Sequence, residues 1–179
     1  MISIAHFVKY ITTYQIWKGI KMDYKTSDLL TYITMKHPKL SITSLMKLSY
    51  LIDLVHIKKT GHQISSFKYS RYKYGPFDND IYNYAQSLVV NGVIREDSEY
   101  APYGGEYIVY SCDNDDDSIA FDNLSPEELE TIDEVINSVI GFGAKALVEL
   151  AYKTKPMKKI GATIGGNEHL NELLDLRAE

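Results

Sequence analysis

The stretch Ser-Leu-Met-Lys-Leu-Ser-Tyr-Leu-Ile-Asp-Leu-Val-His-Ile-Lys-Lys, from Ser44 to Lys59, decides the fold of this chain. Its apolar residues cover most of the circumference of a helix, and such a helix is buried on several sides. Thr43 is a suitable N-cap and Gly61 a suitable C-terminal stop, so we predict a central helix over about 44–59. Each fully buried Leu or Ile contributes roughly 1.5–3 kcal/mol, so this helix is expected to dominate the core.

Downstream of this helix, residues 67–77 alternate aromatic and basic side chains and end in Gly75-Pro76-Phe77. Alternation is typical of a strand or an extended segment, and Gly-Pro marks a turn. Asp78 is then the predicted cap of a helix over about 79–91. The residues expected to point inward from that helix are Ile81, Tyr82, Ala85, Leu88 and Val89.

Helical spacing of apolar residues predicts further helices on both sides of this block. One ends at His37-Pro38, because the residue before proline avoids the helical region. Another begins with Ser125-Pro126-Glu127-Glu128, in which the serine caps, proline takes the first helical position and glutamate closes a capping box. The predicted spans are 26–36, about 126–140, 144–152 and a C-terminal helix within 161–179.

A β-hairpin is predicted between the helices. Short strands at 93–96 and 107–110 flank the turn residues 102–105. The predicted fold class is therefore α+β and mostly α-helical, with a helical core and a small antiparallel β-hairpin or sheet that resembles a wing. The predicted domains are an N-terminal basic amphipathic extension over 1–25, a main domain over 26–160, and a C-terminal helix over 161–179 that packs on the main domain.

Composition restricts the class of protein. The chain has 179 residues, of which 45% are apolar, so a packed core is expected and global disorder is not. The lone cysteine, Cys112, cannot form an internal disulfide. The sequence contains no apolar run of about 18 residues and no signal-peptide pattern at its start, so we expect a cytoplasmic protein without integral membrane association.

Residues 1–21 have apolar residues at helical spacing together with basic residues. Three interpretations stay open. The segment lies on a membrane surface, or it docks on the domain, or Met22 is the natural start and the preceding residues are an upstream extension.

Charge is distributed unevenly along the chain, whose net charge is −5. Residues 1–73 hold 12 Lys and Arg against 3 Asp and Glu, a net charge of +9. Residues 74–179 hold 7 against 21, a net charge of −14. Such polarity can steer a charged partner, and it is equally consistent with two halves that fold together and neutralise each other.

Sequence motifs for ion and phosphate binding are incomplete. The acidic run at 113–118 matches the first ligand positions of a calcium loop, but Ser118 stands where glycine is needed and Leu124 where glutamate is needed. The glycine cluster at 161–166 lacks the Lys-Ser/Thr of a phosphate-binding loop. We therefore expect a solvated loop at the first position and a connector at the second.

Catalytic motifs are also lacking, and we predict that the protein is not an enzyme and binds no cofactor or metal. No Gly-x-Ser-x-Gly elbow occurs, and Cys112 alone implies no thiol chemistry. Asp53 and His56 lie three residues apart on one helix face and are the only pair that suggests a dispersed active site.

A helix followed by a hairpin also suggests a winged helix that binds DNA. The candidate recognition helix over 79–91 contains no Lys or Arg, and phosphate repulsion opposes such a role. The basic residues Lys68, Arg71 and Lys73 can still contact phosphate, with neighbouring tyrosines stacking on bases. The favoured alternative is that this segment is an alternating strand with one face buried. Nucleic acid is therefore a possible but less favoured partner.

The block from Ile42 to Glu96 resembles the SocA-like Panacea domain, also called DUF4065. In that family, one helix carries the pattern Lys-Leu-x-Tyr followed by a hydrophobic residue, has a histidine further along, and ends before a glycine. A Tyr-Gly-Pro turn comes next, and then a helix with a tyrosine near its start. The later capped helix and Lys155-Pro156 resemble the second half of the family. The departures are Met157, where members often have tryptophan beside the proline, and residues 1–25, which have no counterpart. The matching residues are Leu45 to Asp53, His56, Gly61, Tyr72 to Phe77, Ile81 and Tyr82.

The resemblance implies an antitoxin that binds and neutralises a protein toxin, usually encoded by an adjacent gene; some members instead deliver a toxin to a protease, and members occur in phages. Tyrosine provides a large apolar area with one polar end, which favours interfaces. The partner-binding candidates are therefore Tyr72, Tyr74, Phe77 and Tyr82, with Gly75 and Pro76 shaping the turn.

Overall fold

The computed structural model describes residues 22–37, 39–101, 104–112 and 120–178. The predicted extension over 1–21 and the acidic run at 113–118 lie outside the described residues. The described helices are α1 (Tyr24–Lys36), α2 (Ile42–Thr60), α3 (Asp80–Val90), α4 (Pro126–Ser138), α5 (Ala144–Tyr152) and α6 (Lys155–Lys159). The described strands are β1 (Leu40–Ser41), β2 (Ser70–Tyr72), β3 (Gly75–Phe77), β4 (Arg95–Tyr100) and β5 (Glu106–Ser111).

Helix α2 is the centre of the core, as predicted. Helices α1, α3, α4 and α5 all pack against it. Its N-cap is Ser41 and not the predicted Thr43, because the Ser41 hydroxyl accepts the hydrogen bond from the Ser44 amide. It ends at Gly61, which has the left-handed backbone (φ 79°) that only glycine adopts without strain. The buried apolar residues of α2 include Leu45, Met46, Leu48, Tyr50, Leu51 and Ile52.

Two small antiparallel sheets complete the fold. One has the strand order β1-β5-β4, so the predicted hairpin of β4 and β5 gains a third strand from β1. The other is the hairpin of β2 and β3. The predicted fold class, mostly helical α+β with a small antiparallel sheet, is confirmed. In helix α3 one inward prediction was wrong, because Tyr82 is 49% exposed and Tyr84 is the tyrosine that is buried.

The predicted C-terminal helix within 161–179 is wrong. In the described residues this segment has no helix and follows the outer edge of β2, where the Arg71 amide donates to the Glu172 carbonyl and the Leu174 amide donates to the Tyr69 carbonyl. His169 and Asn171 have positive φ angles, which interrupt a helix. The unpaired edge of a strand offers backbone groups that these residues satisfy. We call residues 163–174 the C-terminal strap.

Ion pairs join the basic first part of the chain to the acidic second part. All four pairs between these parts in the described residues have the lysine in residues 1–73 and the acid in residues 74–179. Three of these pairs lie at the surface, where ion pairs contribute little to stability and mainly neutralise local charge, whereas Glu128 of the Lys25–Glu128 pair is buried. This supports two halves that fold together. The pairs are Lys25–Glu128, Lys36–Asp133, Lys39–Glu99 and Lys59–Glu134.

Candidate partner-binding surface

The β2–β3 hairpin places aromatic residues on an exposed face. Arg71 pairs with Pro76 across the two strands, and both side chains are buried. Successive residues of a strand point to opposite faces of the sheet. Tyr72 and Phe77 therefore point away from the buried face that carries Arg71 and Pro76. The tight connection is made by Lys73 and Tyr74, so Gly75 and Pro76 belong to strand β3 and not to the turn itself.

Three of the four predicted contact residues form a continuous row of rings. The ring centroids of Tyr72 and Phe77 are 5.3 Å apart, and those of Phe77 and Tyr82 are 6.0 Å apart. Tyr72 is 41% and Tyr82 49% exposed, while Phe77 is half-buried between them. Tyr74, at the tip of the hairpin, is 65% exposed. We call these four residues the aromatic surface.

Strand β5 contributes a buried tyrosine, Tyr110. Burial is the main cause that raises the pKa of Tyr110 to about 12, and the charges of Glu96 and Tyr82 act in the same direction.

Beneath the hairpin, Lys47 of helix α2 is buried. Its ammonium group donates a hydrogen bond of 2.6 Å to the Pro76 carbonyl. Burial lowers the pKa of Lys47 to about 7. Gly75 has φ 89°, and a Cβ atom there would lie 3.2 Å from the Tyr152 ring. The Tyr152 hydroxyl in turn donates to the Lys73 carbonyl across 3.3 Å, so helices α2 and α5 fix the position of the hairpin.

Arg71 supports the same hairpin from its buried face. Its guanidinium Nη2 donates to the Thr163 carbonyl at 3.0 Å and to the Gly166 carbonyl at 2.6 Å. Its Nε and Nη1 atoms are buried and have no hydrogen-bond partner among the described residues. Arg71 is fully buried, so it cannot contact phosphate as predicted. Of the three predicted phosphate contacts, only Lys68 and Lys73 are exposed.

Asp53 and His56 do not form a site together. The Asp53 carboxylate is fully buried and accepts hydrogen bonds from the Ile64 and Ser65 amides and from the Tyr69 hydroxyl. Burial raises the pKa of Asp53, although the hydrogen bonds from Ser65 and Tyr69 lower it. His56 instead places its Nδ1 atom 3.4 Å from the Thr131 hydroxyl in helix α4. Both side chains therefore hold elements of the fold together.

Other candidate chemistry does not assemble in the part of the chain that the structure describes. No cluster of three or more His, Cys, Asp or Glu side chains there has the geometry to hold a metal ion. Helix α3 carries no Lys or Arg, as the sequence analysis noted. None of the described helices has the length and hydropathy required to cross a bilayer.

The geometry defines a mainly helical α+β domain with an exposed aromatic hairpin supported by two buried cations. The sequence model of the family described as "Antitoxin SocA-like, Panacea domain" matches residues 45–156, which is more than half of the chain. The chain therefore belongs to the SocA-like Panacea family, and the resemblance noted above is confirmed. Neither a curated protein nor a solved structure matches it.

Family membership assigns an antitoxin-type role in general, and such a role implies a toxin as partner. It also favours a non-catalytic function. The match includes helix α2 from Leu45, the whole of the β2–β3 hairpin and all of α5, and it ends at Pro156 in α6. The aromatic surface therefore lies inside the family domain.

Proposed function

We propose that this domain neutralises a partner toxin by binding it directly through the aromatic surface. The observation that carries the proposal is the row of three rings in which Phe77 contacts both Tyr72 and Tyr82, and the two tyrosines are open to solvent. A set of rigid aromatic side chains provides a large contact area at a low entropic cost on binding. The neighbouring gene is the expected source of the toxin.

The rigid support beneath the surface favours direct binding. Lys47, Gly75 and Tyr152 fix the hairpin from the core side. A preorganised surface loses little conformational freedom when a partner binds, so more of the contact energy appears as affinity. The antitoxin-type role of the family supports the same conclusion.

The test is co-expression with the product of the neighbouring gene, with growth rescue and co-purification as readouts. Tyr74→Ala and Tyr82→Ala are each expected to weaken the complex by about tenfold or more, as for residues that dominate an interface. The matched controls are Tyr24→Ala and Tyr100→Ala, since Tyr24 is 75% and Tyr100 76% exposed and both lie outside the aromatic surface. Equal loss in test and control variants, or rescue that none of them changes, contradicts the proposal.

The same experiment separates direct neutralisation from delivery to a protease. Direct neutralisation predicts a stable complex and an unchanged half-life of the toxin. Delivery predicts rescue that disappears when the host proteases are deleted, together with a shortened toxin half-life. A harmless neighbour, or a toxic one without rescue, contradicts the role as cognate antitoxin and makes salt-dependent nucleic-acid binding the next hypothesis to test.

A further inference from the structure

A second surface shares no residue with the aromatic surface. It is a groove of about 650 Å³ between the C-terminal end of helix α2, the junction of α5 and α6, and the last described residues of the chain. Arg177 donates a hydrogen bond of 3.2 Å to the Gly61 carbonyl and so holds the end of the chain against the end of α2.

The groove combines an apolar floor with a basic rim. Its floor is formed by Leu54, Ile57, Leu176 and other apolar residues, and among the described residues its rim carries four cations and no acidic side chain. The three side chains named here are half-buried, so they leave apolar area that a ligand can cover. The rim cations are Lys58, Lys153, Lys155 and Arg177, all of them exposed.

The three rim lysines have no acidic partner among the described residues, whereas two nearby lysines do. Lys59 pairs with Glu134, and Lys159 pairs with Asp175 across 3.5 Å. None of the three rim lysines forms an ion pair or a hydrogen bond with any residue in the described ranges. In a chain with a net charge of −5, unpaired cations collected around one groove create a local positive field.

From this arrangement we propose that the groove binds an acidic peptide segment of a partner protein, with aliphatic side chains on the floor and carboxylates at the rim. An inorganic anion would leave the floor uncovered. A nucleic acid is less suitable, because the lining contains no aromatic ring for base stacking and the chain as a whole repels phosphate. The proposal does not rest on the function of the aromatic surface.

The test is an NMR titration of the ¹⁵N-labelled full chain with a short acetylated peptide of aspartate, glutamate and leucine. We expect shifts at the amides of Thr154 and Ala178, which line the groove. Two comparison peptides replace leucine by serine, or the acids by their amides, and each is expected to bind about tenfold more weakly. Higher salt should weaken binding, since exposed charges are screened.

Charge-reversal variants assign the binding to the rim. The double variant Lys153→Glu/Lys155→Glu should lose about tenfold or more in affinity for the acidic peptide. The control is Lys145→Glu/Lys158→Glu, which makes the same change in net charge at exposed positions outside the groove. Circular dichroism checks that both variants are folded. We expect the control variant to bind the acidic peptide with wild-type affinity and the groove variant to bind it more weakly.

Three outcomes overturn the proposal. The first is no shift at groove amides with the acidic peptide at about 1 mM, the concentration scale of weak specific binding. The second is equal affinity of the groove and control variants. The third is tighter binding of a short single-stranded RNA to the same amides. Tyr82→Ala should leave peptide binding unchanged, so failure here is distinguishable from failure of the proposed toxin contact.

Discussion

The ammonium group of Lys47 and the carbonyl oxygen of Pro76 are 2.6 Å apart in a buried contact that joins helix α2 to strand β3. These residues belong to two of the segments that carry the family resemblance, the Lys-Leu-x-Tyr helix and the Tyr-Gly-Pro segment. The contact brings the two segments together in the fold. A lysine in the helix meets the hairpin backbone and fixes the strand that carries Phe77.

Replacement of Lys47 should change how stability depends on pH. Burial lowers the pKa of Lys47 to about 7 in the folded state, whereas an unfolded lysine has a pKa of about 10.4. Between these values the unfolded chain holds one more proton, so the free energy of unfolding rises with pH, by up to about 1.4 kcal/mol per pH unit. Below pH of about 7 both states are protonated, and this contribution is constant.

Urea unfolding of the wild type and of Lys47→Met between about pH 7 and pH 9 measures this effect. The upper limit is chosen because tyrosines in the unfolded chain ionise at higher pH. As the pH rises, the unfolding free energy of the wild type should increase relative to that of Lys47→Met. Lys68→Met removes an exposed lysine and serves as the control. Parallel curves for the wild type and Lys47→Met would show that the buried ammonium keeps an ordinary pKa.

Gly75→Ala should destabilise the hairpin for two separable reasons. Gly75 has φ 89°, and a Cβ atom there would approach the Tyr152 ring to 3.2 Å. Gly61 has a similar φ of 79° with open space around it, so Gly61→Ala carries the backbone cost alone, about 1 kcal/mol. Gly75→Ala should cost about 1 kcal/mol more in thermal or urea unfolding. Equal costs would mean that the Tyr152 ring moves aside freely.

Asp53→Asn should act on stability and not on any turnover. The Asp53 carboxylate accepts five hydrogen bonds. They come from the backbone amides of Ile64 and Ser65, the hydroxyls of Ser65 and Tyr69, and the side-chain amide of Gln63. An asparagine has only one acceptor oxygen, so its NH₂ group must face at least two of these donors. We expect a loss of about 2–4 kcal/mol in the free energy of unfolding.

Hydrogen exchange at single amides distinguishes this structural role of Asp53 from a catalytic one. Hydrogen exchange at the Ile64 and Ser65 amides should accelerate in Asp53→Asn, because both amides donate to the Asp53 carboxylate. His56→Ala leaves those two bonds in place and is the control. An Asp53→Asn variant with wild-type unfolding and exchange would return Asp53 to the set of candidate functional residues.

The parts of the fold that could be predicted are those with local signals. The capping box at Ser125 and Glu128 is present as expected, because both of its hydrogen bonds lie within one helical turn. The buried helix α2 followed from its apolar circumference, and the stop at Gly61 from its left-handed preference. The aromatic candidates came from the family resemblance and from the preference of tyrosine for interfaces. Tyr72 and Phe77 share a face because the chain turns back at Lys73 and Tyr74, which alternation alone does not show.

The remaining features depend on contacts between distant residues, which no local pattern contains. The apolar spacing of Leu170, Leu173 and Leu174 matches a helix, but the open edge of β2 was available for backbone pairing. The alternating segment around Arg71 was expected to bury one face, but alternation does not show that the face carrying Arg71 is the buried one. The contacts of Arg71 with the C-terminal strap show that its side chain is buried.

Arg71→Met should loosen the C-terminal strap with little effect on the whole domain. The substitution removes two hydrogen bonds to the strap, but it also removes two buried nitrogens without partners, so these contributions largely offset each other. We expect the global free energy of unfolding to change by less than about 1 kcal/mol. Amide exchange at Asn171 and Leu174 should accelerate about tenfold, because both amides pair with β2. Lys73→Met, at an exposed position of the same hairpin, is the control. A large global loss with unchanged strap exchange would instead make Arg71 a core residue whose contacts with the strap are incidental.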